Sequence, residues 1–264
     1  LSINTNIGAL NASQSSYSVN KSMETSMARL SSGNRINSAA DDAAGLQIAR
    51  RMDTEIQGLN QAVRNAADAQ ALLQTAEGAL DEVHTILLRI RELSVQASNG
   101  TYGAQDRLAI QAEVTDLQSE ITRISNDTTW NSISLIEGSQ STGITFQIGA
   151  DNTQTVTVAI ANIALATLSI GGTSQVTTAT NAMSYIAAVD KAISVISTNR
   201  GTYAAAINRL DHSVANMQDA ATNLAEAKGR ITDADFAAET SNLSRTQVLQ
   251  QASMAMLAQA NAAK

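Results

Sequence analysis

The chain has 264 residues, of which 44% are hydrophobic, and its 17 basic and 24 acidic residues give a formal net charge of −7. It can bury a core, and its lack of cysteine and proline excludes a disulfide scaffold, a thiolate metal site and a thiol nucleophile. The acidic balance excludes a nucleic-acid binder, and the most apolar stretch, residues 156–170, is shorter than the ~18 residues of a membrane span. We therefore expect neither a nucleic-acid nor a membrane partner.

We expect the first 40 residues to form a weakly apolar helix. Aromatic residues make up only 3% of the chain, and strong helix formers predominate. This N-terminal face is too weakly apolar to fold on a monomer and too uncharged to be a solvated helix. Its sparse large apolar residues, which we expect to pack in an assembly, are Val19, Met23, Met27 and Leu30.

A long second helix is predicted by apolar residues at alternating steps of three and four. Ser38 with Asp41 looks like a capping box that opens it. A first apolar seam covers residues 52–66. A second seam, over residues 72–97 with Ala79 and Ile86 among its members, is three residues out of step with the first. This misfit predicts a stammer within one continuous helix.

The same helix carries one patch of mixed character. Helical spacing places Arg89, Leu93 and Gln96 on one outward face, while Ile86 and Ile90 turn inward. A solvated helix face with one apolar residue left outside is the plainest interpretation. A recognition surface is the alternative.

The middle of the chain changes from helical to strand periodicity. Asn99-Gly100 predicts a turn, and residues 110–124 predict a third helix. Alternation over residues 144–148 and 156–160 predicts a β-hairpin. Residues 161–181, rich in Thr, Ala and Gly, are expected to form a surface connection.

A further long helix and a second weakly apolar end complete the chain. A heptad seam over residues 186–224 includes Ile186 and Ile193, and Arg200 is its only polar member. Residues 236–264 resemble the N-terminal segment in composition. Their sparse apolar residues, expected to pack against the N-terminal ones, are Leu243, Met254 and Leu257.

The sequence offers no catalytic constellation. Asp211, His212 and Ser213 are the residue types of a hydrolase triad, but as helix neighbours they point in different directions. The glycines form no phosphate-binding fingerprint. We therefore expect no enzyme activity, no cofactor and no metal site.

Several short motifs follow one another in a fixed order at both ends of the chain. They are residues 3–6 (INTN), 29–33 (RLSSG), 35–39 (RINSA), 41–46 (DDAAGL), 74–80 (QTAEGAL), 89–93 (RIREL), 208–209 (NR), 230–236 (RITDADF), 250–252 (QQA) and 259–261 (QAN). They fall within about residues 2–138 and 185–261, and in order and spacing they resemble bacterial flagellins, the subunits of the flagellar filament. Where that family usually has Phe-Asn-Gly, this chain has Trp130-Asn131-Ser132.

The resemblance implies a mainly α fold: an elongated antiparallel helical-bundle or coiled-coil rod with a small β-hairpin region and paired N- and C-terminal helices. It implies a terminal coiled-helix assembly domain of residues 1–42 and 232–264. Residues 43–140 and 182–231 would form the helical rod domain. Residues 141–181, a hairpin and a short connection, would replace the outer variable domain.

The resemblance also implies a function. The chain would self-assemble into the extracellular flagellar filament for motility after export by the flagellar type III route. Its partners would be copies of itself, an export chaperone, and cap and junction proteins. The host flagellin-sensing Toll-like receptor would bind the face that also makes axial subunit contacts, which carries Arg89, Leu93, Gln96 and Glu113.

Two other functions compete with a filament subunit. A hook-filament junction protein resembles flagellins at both ends, but the matches here extend through residues 74–80 and 89–93. A cytosolic helical scaffold or enzyme is the alternative from another class. Indefinite growth of fibres from seeds separates a filament subunit from both.

Overall fold

The computed structural model describes residues 6–172 and 175–262. The predicted motif at residues 3–5 and the last two residues of the predicted terminal domain, 263 and 264, lie outside the described residues. No helical stretch in the described ranges combines the length and the apolarity that a bilayer span requires. The elements are α1 (Ile7–Ser32), α2 (Ala43–Ser98), α3 (Ala104–Asp127), β1 (Thr129–Trp130), β2 (Ile133–Ser134), β3 (Ile144–Gln147), β4 (Thr155–Val158), α4 (Leu165–Leu168), α5 (Ala179–Thr232) and α6 (Phe236–Ala262).

The predicted fold class is confirmed. The chain is mainly helical, its N- and C-terminal helices α1 and α6 are paired, and its described strands form small antiparallel hairpins. By its internal contacts the chain forms two compact units. We call residues 1–57 with 221–264 the terminal unit and residues 58–220 the central unit. Helices α2 and α5 contribute to both.

Helix α2 is continuous, and most predicted members of its seam over residues 72–97 are buried, but the seam differs from the prediction at two positions. Leu80 and Leu87 are fully buried, whereas the expected members Ala79 and Ile86 are half-buried. The buried positions advance by four and three residues without a break, so the predicted stammer is wrong. Alanines early in the seam hid this frame, because apolar spacing alone does not distinguish a buried alanine from a flanking one. The seam comprises Ala62, Ala66, Ala69, Leu73, Ala76, Leu80, Val83, Leu87, Ile90, Ser94 and Ala97.

Half of the predicted seam in α5 is confirmed. At three of the alternate positions the residue one place earlier is buried instead, as with Ala192, which leaves Ile193 half-buried, whereas Asn199 and Ser213 are themselves half-buried. Arg200 lies at the seam's edge, where it forms an ion pair with Glu77 of α2 (Nη2–Oε1 2.8 Å). The confirmed seven-residue series comprises Val189, Ile196, Tyr203, Leu210 and Met217.

The expectation that residues 161–181 form a surface connection is wrong. Two buried glutamines of α3 hold this segment against the core. Gln118 Nε2 donates to Ile170 O over 2.6 Å, and Gln111 Oε1 accepts from Val176 N over 2.8 Å. The Thr/Ala/Gly-rich composition hid the apolar residues that anchor it. Those buried among its described residues are Ile163, Leu168, Ile170 and Val176.

The predicted hairpin is confirmed, and a second hairpin precedes it. Strands β3 and β4 pair antiparallel, with Ile144 opposite Val158. Strands β1 and β2 are joined by Asn131 and Ser132, both at positive φ (47° and 65°). Two such residues are typical of a type I′ turn. A two-residue strand carries too little alternation to be recognised in a sequence.

The loop before α2 does not contain the expected capping box. Asp41 Oδ2 instead accepts hydrogen bonds from the backbone N–H of Asn37 (3.1 Å), the backbone N–H of Ser38 (2.9 Å) and the Ser38 hydroxyl. These hydrogen bonds stabilise the loop, and those from Ser38 contribute most to lowering the pKa of Asp41. The next residue caps the helix, because Asp42 Oδ1 accepts from Gly45 N over 2.8 Å. Because Asp41 and Asp42 are adjacent, sequence spacing could not show which of them caps the helix and which holds the loop.

Candidate functional sites: the terminal helix pair and the α2–α3 face

The paired helices α1 and α6 begin at polar caps. Asn6 Oδ1 accepts from Ala9 N at the start of α1, and Asp235 Oδ1 accepts from Ala237 N and Ala238 N at the start of α6. Helix α1 ends at Gly33, whose left-handed φ of 73° lets its N–H bond back into the last turn. The sequence thereby fixes where both helices begin and where α1 turns away.

Three polar contacts set the antiparallel register of the pair. Asn6 Nδ2 donates to Ala260 O over 2.9 Å at one end. Gln250 Nε2 donates to Asn20 Oδ1 over 2.9 Å in the middle. Arg29 Nη1 lies 3.2 Å from Glu239 Oε1 at the other end. Sequence analysis missed these residues because an apolar-periodicity argument gives polar side chains no place in an interface.

The interior of this pair is polar. The buried residues of α1 are Ser16 and Ser26, and those of α6 are Glu239 and Thr246. No large apolar side chain of either helix is buried. Because burial of apolar area is the main stabilising term in folding, the pair gains little from its own contact.

The predicted assembly residues fall into two groups. Met27 and Met254 are exposed, so each is available to a neighbouring molecule. That they pack on residues of the other terminal helix, in the same or a neighbouring subunit, stays a prediction. The half-buried residues of the group are Val19, Met23, Leu30, Leu243 and Leu257.

Further large apolar side chains of the terminal helices are exposed. Single exposed apolar residues are ordinary on a protein surface, whereas a concentration of them marks an interaction surface. Here they accompany a helix pair that buries no large apolar side chain of its own. They are Ile7, Leu10, Tyr17, Phe236, Val248, Leu249 and Met256.

The α2–α3 face is organised by one arginine. Arg89 donates from Nε and Nη2 to Glu113 Oε1 of α3 (3.0 and 2.8 Å) and from Nη1 to Glu92 Oε2 (2.6 Å). These hydrogen bonds raise the pKa of Arg89, Glu113 contributing most. The Arg89 side chain remains 48% exposed. Gln96 is also exposed and donates to the Tyr102 hydroxyl over 3.0 Å.

The prediction that Leu93 faces outward is wrong. Leu93 is 2% exposed and belongs to the core of the central unit. The buried stripe of α2 is wide enough to include it because α2 packs beside both α3 and α5, as the Arg89–Glu113 and Arg91–Asp190 ion pairs show. The accessible part of this face therefore consists of Arg89, Gln96 and Glu113.

The described residues contain no group of three or more His, Asp or Glu side chains arranged to hold a metal ion. His84 is half-buried in α2 and His212 is exposed on α5. Surface grooves lie along the terminal helix pair, lined by residues of α1 and α6.

Comparison with known proteins identifies the chain's family. The profile described as the bacterial flagellin N-terminal helical region matches residues 3–141, and the one described as the C-terminal helical region matches residues 186–264. The flagellin of Halalkalibacterium halodurans is 42% identical over 260 residues, covering 98% of this chain and 95% of the relative. The flagellin of Bacillus subtilis is 39% identical, covering 98% and 96%.

Solved structures agree with these relatives. The crystal structure of Bacillus cereus flagellin is similar with a TM-score of 0.52 at 32% identity, covering 62% of this chain and 94% of that chain. A protein described as a flagellar hook-associated protein of Vibrio parahaemolyticus has a TM-score of 0.62 at 14% identity, which shows a shared fold alone.

The chain belongs to the bacterial flagellin family. It is a structural subunit of the extracellular flagellar filament and not an enzyme. It self-assembles. The two relatives, covered to 95% and 96% of their length, are both named flagellin, which favours this function over that of a hook-filament junction protein.

Proposed function

We propose that the α1–α6 pair is the element through which copies of this flagellin join. The observation that carries the proposal is the pair's polar interior combined with its exposed apolar side chains. Two helices that bury little against each other are stabilised by burial against copies of themselves. The domain division follows: residues 1–42 with 232–264 assemble, residues 43–140 with 182–231 form the supporting helical domain, and residues 141–181 take the place of an outer domain.

Deletion of residues 1–30 tests this proposal. The truncated chain should fail to extend filament seeds at any practical concentration, because it lacks all but the last two residues of α1 and with them Val19, Met23 and Met27. Its central unit should keep a cooperative thermal transition by circular dichroism, because that unit has its own core. Filaments of normal length from the truncated chain contradict the proposal, as does loss of the central transition together with assembly.

The same proposal includes export by the flagellar type III route. It also includes a dedicated chaperone, and cap and junction proteins at the growing filament. Its support is the absence of cysteine and proline from the sequence, because no disulfide or slow prolyl isomerisation then delays folding after export. Immunoblots of culture supernatant test it: export should stop in cells that lack the flagellar channel. Secretion from such cells contradicts this route.

A second role, supported by the exposure of Arg89 and Glu113, is recognition of the free subunit by the flagellin-sensing Toll-like receptor. Truncating a guanidinium that makes charge-assisted hydrogen bonds in an interface costs about 2 kcal/mol, so Arg89→Ala should weaken a receptor-reporter response about 30-fold. Arg91→Ala is the matched control, since Arg91 is similarly exposed but pairs with Asp190 of α5. Equal potency of wild type and both variants contradicts this role.

A further inference from the structure

The turn between α2 and α3 contains Asn99-Gly100, the single Asn-Gly pair in the sequence. Both residues are exposed. A backbone nitrogen can attack the side-chain amide carbon of the asparagine that precedes it. This attack is easiest when the nitrogen belongs to glycine, because no Cβ atom then obstructs the approach. The turn therefore has the sequence needed for a covalent change that proceeds without an enzyme.

The nitrogen that would attack is free. Gly100 N–H makes no hydrogen bond with the described part of the chain. At another exposed asparagine, Asn37, the following N–H belongs to Ser38 and donates to Asp41 Oδ2 over 2.9 Å. A hydrogen bond to the neutral N–H opposes loss of its proton. Gly100 N is therefore open to solvent hydroxide, which has to remove the proton before the attack.

The Asn99 side chain is folded toward that nitrogen. Asn99 Oδ1 accepts a hydrogen bond from Thr101 N over 3.2 Å. The ring that this bond closes includes both Asn99 Cγ and Gly100 N, so the bond keeps the side chain over the following peptide. It also places a donor beside the oxygen that becomes negative when Cγ is attacked.

Arg107 of α3 donates to the same peptide unit. Its Nη2 donates to Asn99 O over 3.0 Å, and its Nε donates to Ala97 O over 2.8 Å. When Gly100 N loses its proton, negative charge spreads onto Asn99 O, because that carbonyl and Gly100 N share one conjugated peptide bond. A charge-assisted hydrogen bond from the guanidinium stabilises this anion. Arg107 forms no ion pair with a carboxylate in the described ranges, so its positive charge is not offset there.

We propose that Asn99 is a site of spontaneous deamidation and that Arg107 promotes the reaction. Hydroxide takes the proton of Gly100 N, this nitrogen forms a bond to Asn99 Cγ, and the bond from Cγ to Nδ2 breaks. The departing nitrogen takes a proton from water and leaves as ammonia, which regenerates hydroxide. Water then opens the cyclic imide at either carbonyl and yields aspartate or isoaspartate. No group is oxidised or reduced.

The product changes one end of the α2–α3 face. A carboxylate replaces a neutral amide directly after α2, and isoaspartate also adds a methylene to the backbone of the turn. The same turn includes Tyr102, whose hydroxyl accepts from Gln96. Older subunits should therefore differ in charge from newly made ones at this place. The inference is independent of the proposed role of the α1–α6 pair.

Incubation of the full chain at about pH 8.5, with peptide mass spectrometry over days, tests the assignment. Deamidation should appear first at Asn99, at least tenfold faster than at Asn37 and Asn131, which are also exposed but precede serine. Isoaspartyl methyltransferase should label the Asn99 peptide, and the rate should rise in proportion to hydroxide. An unmodified Asn99, or faster modification of either other asparagine, overturns the assignment.

Two variants test how the turn promotes the reaction. Arg107→Gln should slow it about fivefold, because the cationic donor to the Asn99 carbonyl is lost. Arg107→Lys, which keeps the charge, should retain more of the rate. If Arg107 only held the turn in place, its loss would loosen the turn and speed the reaction. A rate in Arg107→Gln equal to or above that of wild type therefore overturns its role.

Gly100→Ala is the matched control. Apart from the adjoining residues, no described atom lies within 4 Å of a Cβ built at Gly100, so the substitution should leave the fold and the Arg107 hydrogen bonds intact. Deamidation should nevertheless slow at least tenfold, because the new Cβ obstructs the attack. Circular dichroism of each variant checks that the helices are retained. An unchanged rate in a folded Gly100→Ala variant overturns attack by this nitrogen.

Discussion

Ser132 occupies a backbone conformation that favours glycine. Its φ of 65° lies in the left-handed region, which costs a residue with a Cβ atom roughly 1–2 kcal/mol. Replacing Ser132 with glycine removes this cost, but the greater freedom of glycine in the unfolded chain offsets part of the gain in stability. We therefore expect Ser132→Gly to raise the free energy of unfolding by about 0.5–1 kcal/mol in a urea titration. Asn131→Gly should gain less, because asparagine tolerates this region well; a larger gain there contradicts the explanation.

Two buried tyrosines make stability sensitive to alkaline pH. Tyr185 donates to Ile170 O over 2.9 Å, and the Tyr203 hydroxyl accepts from Ala161 N over 2.7 Å. Burial raises the pKa of both above the ordinary 10.0. Above about pH 10 the unfolded chain therefore loses these protons first, and the unfolding free energy falls as pH rises further.

Urea unfolding at intervals between pH 9 and pH 11 measures this slope. Tyr185→Phe and Tyr203→Phe should each make the decline shallower while lowering stability at pH 9, because each removes a buried hydrogen bond. Tyr17→Phe, which removes an exposed hydroxyl, should keep the wild-type slope. A slope unaffected by either buried substitution contradicts the prediction.

At the scale of one element, α2 presents neighbouring apolar residues in opposite environments. Leu93 is 2% exposed, and Val95, two positions on, is 47% exposed. Leu93→Ala should lower the free energy of unfolding by about 2–5 kcal/mol, because it leaves a cavity in the core. Val95→Ala should change it by less than about 1 kcal/mol. Thermal unfolding of both variants measures the difference, and similar losses contradict the placement of Leu93 in the core.

The same contrast bears on recognition. Any loss of receptor response in Leu93→Ala can reflect damage to the core, whereas a loss in Arg89→Ala reflects an accessible group. Response should therefore be compared at equal concentrations of folded protein. Under that condition Arg89→Ala should give a weaker receptor response than Leu93→Ala.

At the scale of the whole molecule, local stability should be unequal. The central unit contains the large buried core, whereas the α1–α6 pair buries four polar residues and no large apolar one. In dilute monomer, limited proteolysis should remove residues 1 to about 40 and those beyond about 236 first, leaving a resistant core. Mass spectrometry of the fragments identifies the cut sites. Equal protection of the ends and the centre contradicts this expectation.

Sequence periodicity was sufficient where helices are long and one face is apolar. The continuity of α2, the seven-residue series of α5 and the β3–β4 hairpin follow from spacing alone. The family followed from short motifs in order, which the comparisons confirm. The pairing of the two terminal helices, which the structure contains, was implied by the family resemblance and not by spacing.

Only the tertiary structure decided which residues are buried where elements have two neighbours. Spacing placed Leu93 outside, yet α3 and α5 flank α2 and enclose it. It left residues 161–181 on the surface, yet the side-chain amides of Gln111 and Gln118 satisfy the backbone of that segment and allow its burial. Periodicity in the sequence shows how apolar one face of an element is. Whether that face is buried depends on which other element packs against it, and contacts between residues distant in sequence determine that packing.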